Sequence, residues 1–389
     1  MIYEGIEIHT NEIIRVHTSG DRVEAVERLA PSRKTDAELT DLSYLCPGFI
    51  DLQINGFAGI DYSSKGLSRL EIEKIIRALG SSGTVRHLAT IVTGSRDRIT
   101  GSCAAIARAR RESLLARTAI AGIHIEGPYI SPLDGPRGAH DKKHVRNPDY
   151  SEFREWQEAA EGAIRIVTLA PETEGAADFI AKITVDGVIA SIGHTAASPE
   201  AIRAAVAAGA RLSTHLGNGS AALIPRLKSH IWNQLAEDRL SASVIADGFH
   251  LPDDVLKVFA RAKGLDRLIL VSDVAFLAGS PPGTYNWGDI VVEVNPDGHL
   301  SLKGTEFLAG AGHLLDRCVA RFAEATKASL AQTIDLCTVN PARLIGLPRE
   351  TIEFVPGTPA CLTKFRPGRE RRALTVETCV ISGEIAYGR

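Results

Sequence analysis

Three polar side chains stand at the ends of short β-branched runs and offer the ligand atoms that a divalent metal prefers. Glu126 ends the run GIHIE, His194 follows ASIG, and His215 follows LST. One carboxylate and two imidazoles from different strands are a usual ligand set for zinc or a similar metal that keeps an open coordination position. A lone strand-end histidine is more often a structural hydrogen-bonding group. Three unpaired buried polar groups would be costly, so the joint pattern predicts a metal site.

Asp273 ends another run of this kind, LILVSD. A carboxylate beside a metal site can accept a proton from an activated water and pass it to a leaving group. The same residue would also suit a helix N-cap or a salt bridge, and an aspartate after a strand does not by itself decide between these roles. The prediction of a catalytic carboxylate at Asp273 therefore depends on the metal site.

The chain around these positions alternates between strand-like runs and helical patterns. From Pro47 to about Gly346 this order is typical of parallel strands joined by crossover helices. The predicted strands are Gly48–Ile54, His87–Val92, Ala119–Ile125, Ile164–Ala170, Gly187–Ile192, Arg211–His215, Ala242–Ala246 and Arg267–Val271. Eight such units indicate an α/β fold, a (β/α)8 TIM barrel, whose chemistry lies where the strands end and the following loops begin.

The two ends of the chain have a different pattern. Residues 1–46 show alternation and turn residues that suggest short antiparallel strands, and so do residues 352–389, which contain a turn at Ser382-Gly383. We predict that the two segments pair into one small β-sandwich domain. That domain would lie beside a barrel domain of residues 47–351.

Charge and composition exclude several classes of function. The formal net charge of −3 gives no long-range field that would gather nucleic acid or an anionic membrane. The N-terminus lacks the basic and apolar segments of a secretory signal, and no apolar run of about 18 residues occurs. The six cysteines form no C-x-x-C pair, and we interpret them as reduced core residues of a cytoplasmic protein.

The motifs, taken in order, resemble the amidohydrolase superfamily and, within it, the N-acetylglucosamine-6-phosphate deacetylase family. The resemblance covers nearly the whole chain. It rests on PGFIDLQINGFAG, GIHIEGPYIS, GAH at 138–140, IGHTAAS, THLGNGS, IADGFH and LVSD. It implies a metal-dependent hydrolase that removes acetate from an N-acetylated amino sugar, with N-acetylglucosamine 6-phosphate as the expected substrate.

The resemblance also implies roles for individual residues. It makes Glu126, His194 and His215 the metal ligands and Asp273 the general acid and base. The substrate-binding residues that it implies are His140, Asn218, Gly219, Arg226 and His250. Arg226 and His250 stand where the family binds phosphate, which suits the forked donors of a guanidinium.

Gln53 and Asn55 occupy the first strand end, where many superfamily members carry H-x-H for a second metal. Neither amide supplies an imidazole nitrogen, so we expect one divalent metal per chain, with zinc preferred and Fe²⁺, Co²⁺ or Mn²⁺ as alternatives. The two amides would instead line the pocket or hydrogen-bond near the metal.

Other departures from the family pattern leave the substrate more open than the metal chemistry. The run from His215 reads HLGNGS, where the family commonly has an aromatic residue and Ala-Met. Another N-acyl compound or a cyclic amide is therefore an alternative substrate. A non-catalytic sugar-phosphate-binding protein is a further alternative, which the retained ligands and Asp273 disfavour. We expect a homodimer, again from the resemblance.

Overall fold

A computed structural model of the 389-residue chain describes residues 1–31, 43–287, 290–305, 308–368 and 373–388. Eight parallel strands pair in chain order. They are β1 (Phe49–Ile54), β2 (Thr84–Val92), β3 (Ile120–Glu126), β4 (Ile164–Leu169), β5 (Ile189–Ile192), β6 (Leu212–Ser213), β7 (Ser241–Val244) and β8 (Leu268–Leu270). Just beyond β8, Val274 forms a parallel bridge with Ile54, which brings the last strand beside the first. The predicted (β/α)8 barrel is confirmed.

Helices follow the strands as the periodicity predicts. They are α1 (Arg69–Leu79), α2 (Arg96–Glu112), α3 (Leu114–Ala119), α4 (Tyr150–Ala159), α5 (Ala176–Val185), α6 (Pro199–Ala207), α7 (His230–Ala236), α8 (Asp253–Lys263), α9 (Leu315–Thr326), α10 (Leu330–Asp335) and α11 (Val339–Leu344). In α6, the Ser198 side chain accepts the Ala201 N–H and Pro199 occupies the first turn, a common start of a helix. Ile72, Ile75 and Leu79 form the buried face of α1.

The barrel interior is an apolar cluster built from alternate strand residues. It contains Ile50, Leu52, Leu88, Ile166, Ile189, Leu212 and Ile269. Ala342 of α11 and Ile345 after it join this cluster and cover the N-terminal end of the barrel. The interior is therefore filled with side chains. The polar groups at the carboxyl ends of the strands lie directly above this tightly packed core.

Strands from both chain ends form one seven-stranded sheet, called here the terminal sheet. Its strands are Ile2–Glu7, Glu12–Ser19, Arg22–Pro31, Tyr44–Cys46, Leu362–Arg366, Thr375–Ile381 and Glu384–Gly388. Ile14, Leu45 and Val380 contribute to a core of its own. The predicted pairing of the two ends is confirmed, and positive φ angles at Ser382 and Gly383 form the predicted turn. The domain division at residues 46 and 351 stays a prediction.

A three-stranded antiparallel sheet, called here the mouth sheet, was not predicted. It comprises Gly283–Trp287, Ile290–Val294 and Leu300–Leu302 and follows β8. Trp287 packs edge-on against Phe276, just after Asp273. His299 stacks on Phe249, in the loop after β7. The mouth sheet therefore contacts loops at the carboxyl ends of the barrel strands.

The six cysteines are buried and free, as predicted. Among the described residues, no helix has the length and apolar character needed to cross a membrane.

Candidate metal centre and active site

The predicted site residues lie at the carboxyl ends of the barrel strands. Glu126 is the last residue of β3, His194 and His215 follow β5 and β6, and Asp273 follows β8. The two histidines and Asp273 have positive φ angles of 51°, 31° and 51°. Non-glycine residues reach this region at an energetic cost, and such residues cluster at functional sites. The backbone therefore turns sharply at each strand end that presents a candidate functional group.

Glu126, His194 and His215 converge on one point. Glu126 Oε1 lies 3.2 Å from His194 Nε2 and 3.0 Å from His215 Nε2, and the two nitrogens are 3.1 Å apart. Ligands at about 2.0–2.1 Å from a tetrahedral metal stand about 3.3 Å from one another. A carboxylate oxygen and two imidazole nitrogens with this spacing fit a divalent cation. The structure thus brings together the three predicted ligands.

Neighbouring groups orient this triad. His194 Nδ1 lies 2.9 Å from the Pro136 carbonyl oxygen, a contact that fixes which ring nitrogen points to the site. Gln53 Nε2 donates to Glu126 Oε1 at 2.8 Å. His215 Nδ1 is buried and has no partner among the described residues. A side chain at Gly219 would meet His194 Nδ1 at 2.8 Å, so glycine permits the close approach of the loop after β6.

His140, which was predicted to contact the substrate, lies beside the candidate metal ligands. Its Nε2 is 3.3 Å from His194 Nε2, and its Nδ1 is 2.8 Å from Thr93 Oγ1. Donor atoms of Glu126, His140 and His194 lie within 4.8 Å of one another. His215 is the better third ligand, because its Nε2 approaches both Glu126 and His194 more closely than His140 Nε2 approaches His194.

The two site carboxylates have opposite pKa shifts. Burial opposes ionisation of Glu126, but hydrogen bonds from His194 and His215 hold its pKa well below the usual value. Burial, together with the negative charge of Glu126, raises the pKa of Asp273 to about 6. Asn55 Nδ2 donates to Asp273 Oδ1 at 2.8 Å and favours the ionised form. One carboxylate is therefore suited to hold a cation and the other to exchange a proton near neutral pH.

His250 is held rigidly in the loop after β7. Its Nδ1 lies 2.9 Å from Asp247 Oδ2, and its backbone N–H donates to Asp247 Oδ1 at 2.9 Å. Burial disfavours the ionised Asp247, but the hydrogen bond from His250 and its charge lower the carboxyl pKa to about 2. This pairing leaves the Nε2 atom of His250 as the nitrogen available to a ligand.

The remaining predicted substrate residues lie in the loop after β6. Asn218 is half-buried and its Nδ2 donates to the His215 carbonyl oxygen at 3.2 Å. Arg226 is exposed. Among the described residues, its one hydrogen bond is accepted by its carbonyl oxygen, from Trp232 Nε1 at 3.0 Å. The structure does not bring the Arg226 guanidinium into contact with the other predicted residues.

Several residues that support the site were not predicted from the sequence. Asp247 stands three residues before His250, and this spacing in IADGFH could have indicated that the two side chains pair. Asp51 is fully buried and accepts the backbone N–H groups of Gln53 and Ser272 at 3.1 Å each, which ties β1 to the segment before Asp273. Thr93 and the Pro136 carbonyl carried no recognisable signal, because their roles depend on a loop conformation.

Comparisons with known proteins place this chain among characterised hydrolases. A model of the amidohydrolase family matches residues 44–386. An N-acetylglucosamine-6-phosphate deacetylase of Bacillus subtilis is 34% identical over 307 residues, which are 78% of this chain and 76% of that protein. An N-acetylgalactosamine-6-phosphate deacetylase of Escherichia coli O157:H7 is 30% identical over 370 residues, 94% of this chain and 92% of that protein.

A solved structure of similar fold comes from Mycobacterium smegmatis. It is an aspartate-to-alanine mutant of N-acetyl-D-glucosamine-6-phosphate deacetylase in complex with N-acetyl-D-glucosamine-6-phosphate. The TM-score is 0.85 at 27% identity, with 99% of each chain covered. A deacetylase structure from Thermotoga maritima gives a TM-score of 0.82 at 26% identity over the whole of both chains.

Proposed function

This chain belongs to the amidohydrolase family, and from that premise we propose that it removes acetate from N-acetylglucosamine 6-phosphate to give glucosamine 6-phosphate. The observation that carries the proposal is the convergence of Glu126, His194 and His215 across the barrel mouth from a buried Asp273. The names of the similar proteins support a phosphorylated 2-acetamido sugar.

We assign Glu126, His194 and His215 as ligands of one divalent cation, with zinc preferred for this mixture of carboxylate and imidazole. When bound, the cation supplies the Lewis acidity that activates a water molecule and polarises the acetamide carbonyl. Gln53 supports the single-metal proposal, because its amide already donates to the shared ligand atom Glu126 Oε1. The amide of Gln53 therefore orients a ligand rather than acting as one.

Asp273 is the proton-transfer group in this proposal. Its carboxylate removes the proton of the attacking water and returns it to the amine nitrogen as the C–N bond breaks. Asn55 holds the carboxylate through its amide N–H. Burial and the neighbouring His194 lower the pKa of His140 to about 3. We assign this neutral imidazole to donate a hydrogen bond to the carbonyl oxygen as negative charge develops there.

The substrate phosphate would bind where His250 is presented. His250 lies in the loop after β7, and phosphate sites of (β/α)8 barrels are frequently built from the loops after the last two strands. Arg226 would add a guanidinium if the exposed loop after β6 closes over the substrate. Asn218 and Gly219 border His194 and His215, and their place supports contact with the sugar.

The galactosamine epimer is a second candidate substrate, because the N-acetylgalactosamine-6-phosphate deacetylase aligns with more of this chain than the Bacillus subtilis glucosamine enzyme does. For quaternary structure we propose a homodimer. Leu223, Leu227 and Trp232 are exposed on and beside the loop after β6, which supports an intersubunit contact there. The six free cysteines support a reducing, cytoplasmic location.

Acetate release tests the proposal directly. The purified metal-loaded protein is offered N-acetylglucosamine 6-phosphate, N-acetylgalactosamine 6-phosphate and unphosphorylated N-acetylglucosamine, and kcat/KM is measured for each. We expect the highest value for the glucosamine phosphate and a large loss without the phosphate. Hydrolysis confined to other N-acyl compounds or cyclic amides would refute the substrate, and absence of any turnover would refute the enzyme assignment.

A further inference from the structure

The N-terminal end of the barrel contains a basic cavity on the opposite side from the metal centre. It has a volume of about 220 Å³ and is lined by Arg165, Arg211, Arg343 and neighbouring residues of α11 and β5. Arg165 lies at the start of β4 and Arg211 directly precedes β6. The barrel interior and the length of the strands separate this cavity from the active site, so it is not part of the proposed substrate pocket.

The three arginines that line the cavity are exposed, and two of their side chains have no partner in the part of the chain that the structure describes. The side chains of Arg165 and Arg211 make no hydrogen bond or ion pair among the described residues, whereas Arg343 donates to the Asp266 carbonyl oxygen and to Asn340 Oδ1. Arg110 of α2 lies close enough to Arg165 for their charges to interact. Burial and the positive charge of Arg165 both lower the pKa of Arg110. Glu161 offsets part of this effect at Arg110. Positive charges are nevertheless concentrated here, an arrangement that a bound anion would stabilise.

A second observation points the same way. Arg86 of β2 is only 9% exposed, and its Nη1 atom is buried without a partner among the described residues. Its side chain is directed to the inner face of the barrel, since Leu88, two residues later, lies in the interior cluster. A buried unpaired guanidinium is costly. It calls for a negatively charged partner at this end of the barrel.

Gly122 of β3 lies between Leu88 of β2 and Arg165 of β4. A Cβ atom there would lie 2.4 Å from Arg165 Cγ and 3.3 Å from Leu88 Cδ2. The stem of Arg165 therefore lies across the start of β3, beside the strand that carries Arg86. A glycine at this position makes room for the arginine inside the basic end of the barrel.

We propose that this cavity binds a small tetrahedral dianion, namely a phosphoryl group, between the guanidinium groups of Arg165 and Arg211, with the buried Arg86 adding positive charge at the same end of the barrel. Guanidinium groups present forked donors that match phosphate oxygens. Residues from α11, β4, β5 and the start of β6 border the cavity. Bound phosphate would therefore link strands on one side of the barrel to the helix that covers its end. The cavity admits either free phosphate or the phosphate of a small phosphorylated metabolite.

Calorimetry with inorganic phosphate tests the site in the full metal-loaded chain. The measurements use a Arg226→Ala/His250→Ala background, which removes the proposed active-site phosphate contacts, at constant ionic strength in chloride buffer. We expect saturable binding of one phosphate per chain. Adding Arg165→Gln and Arg211→Gln should weaken it by roughly tenfold or more per lost guanidinium. Arg154→Gln, at an exposed arginine of α4, is the matched control and should leave the affinity unchanged.

Three outcomes would overturn the proposal: no saturable phosphate binding in that background, equal binding after the Arg165 and Arg211 changes, or an equal loss in the Arg154 control. Glucosamine 6-phosphate in a parallel titration distinguishes the sources, and only binding that the Arg165 and Arg211 changes weaken is assigned to this cavity. Tighter binding there than phosphate identifies a metabolite, and weaker binding identifies the free anion. Either result supports a phosphoryl site at this end.

Arg86→Met gives an independent readout. The variant keeps most of the side-chain stem but removes the buried charge. We expect weaker phosphate binding, with no fall in Tm in phosphate-free buffer and a smaller rise in Tm on adding phosphate than in the unaltered chain. An equal phosphate-induced rise in both proteins would exclude Arg86 from the site. A selenate soak of wild-type crystals needs no variant, and absence of an anomalous peak beside Arg165 and Arg211 would also contradict the proposal.

Discussion

The two ends of the barrel differ in how their charged side chains are paired. At the carboxyl end, Glu126 is hydrogen-bonded to Gln53 and to two histidines, and Asp273 is hydrogen-bonded to Asn55. At the amino end, Arg165 and Arg211 have no acidic partner among the described residues, and Arg86 Nη1 is buried alone. The candidate catalytic groups are oriented by hydrogen bonds from neighbours, whereas the arginines without acidic partners are suited to bind an anion. Substitutions at the two ends should therefore affect different measurements.

The largest effect is expected from Asp273→Asn. An amide of the same shape cannot transfer the proton, so acetate release should fall by about 10²–10⁴, with the fold and the metal content retained. Steady-state turnover and elemental analysis on one preparation check this. If the variant lost its metal, Asp273 would have a structural role. If it kept near wild-type turnover, another group would be the base.

His215→Ala and His140→Ala distinguish ligand from substrate contact. We expect His215→Ala to lose most of its metal and with it the activity, because one of three protein ligands is gone. His140→Ala should retain the metal and lose turnover. Metal content after dialysis is the measurement. The reverse pattern would make Glu126, His140 and His194 the ligand set and would require a new role for His215.

Phosphate recognition should show mainly in KM. Arg226→Ala and His250→Ala each remove a remote contact that is similar in ground and transition states, so KM for the phosphorylated substrate should rise by about tenfold or more with kcat less affected. Unphosphorylated N-acetylglucosamine is the matched control. An equal change with both substrates would exclude a phosphate role for the substituted residue.

Asn55→Leu should shift a pH profile with a modest loss of rate. The amide N–H of Asn55 favours ionised Asp273, so its removal raises the pKa of that carboxyl. The base must be ionised, and activity is lost as the pH falls through this pKa. The acidic limb of kcat/KM should lie at or below about pH 6 in the wild type, because a bound cation favours the ionised form.

In Asn55→Leu, that limb should move to higher pH. Gln53→Leu is the control, since its amide contacts Glu126 rather than Asp273, and its limb should stay in place. An unmoved limb in Asn55→Leu would assign the pH dependence to a group other than Asp273.

The smallest effect is expected at the opposite end of the barrel. Arg165→Gln/Arg211→Gln should leave kcat and KM unchanged in phosphate-free buffer, because the barrel interior separates both residues from the reaction. Acetate release by the variant and by Arg154→Gln checks this. A large loss of turnover in phosphate-free buffer would contradict the separation of the two ends.

The sequence was sufficient for features that depend on local pattern. The eight strands carry apolar runs, and their ends carry the polar groups, so Glu126, His194, His215 and Asp273 could be placed together before their distances were known. The mouth sheet was not predicted, because its strands are short and much of Gly283–Trp287 is exposed. The sequence therefore shows no alternation of buried and exposed residues there. The approach of His140 to His194 was not predicted either, because His140 lies in a long loop whose sequence has no helical or strand periodicity.

Anomalous diffraction at the zinc absorption edge, from crystals of the protein purified without added metal, shows whether one metal is bound by the three proposed ligands. We expect one fully occupied peak per chain, bound by Glu126, His194 and His215, with Gln53 and Asn55 outside coordination distance. Two fully occupied peaks, the second bound through Gln53 or Asn55, would contradict it. A different metal, identified at its own absorption edge and bound by the same three ligands, would change only the identity of the metal. The absence of a metal at every edge would refute the site.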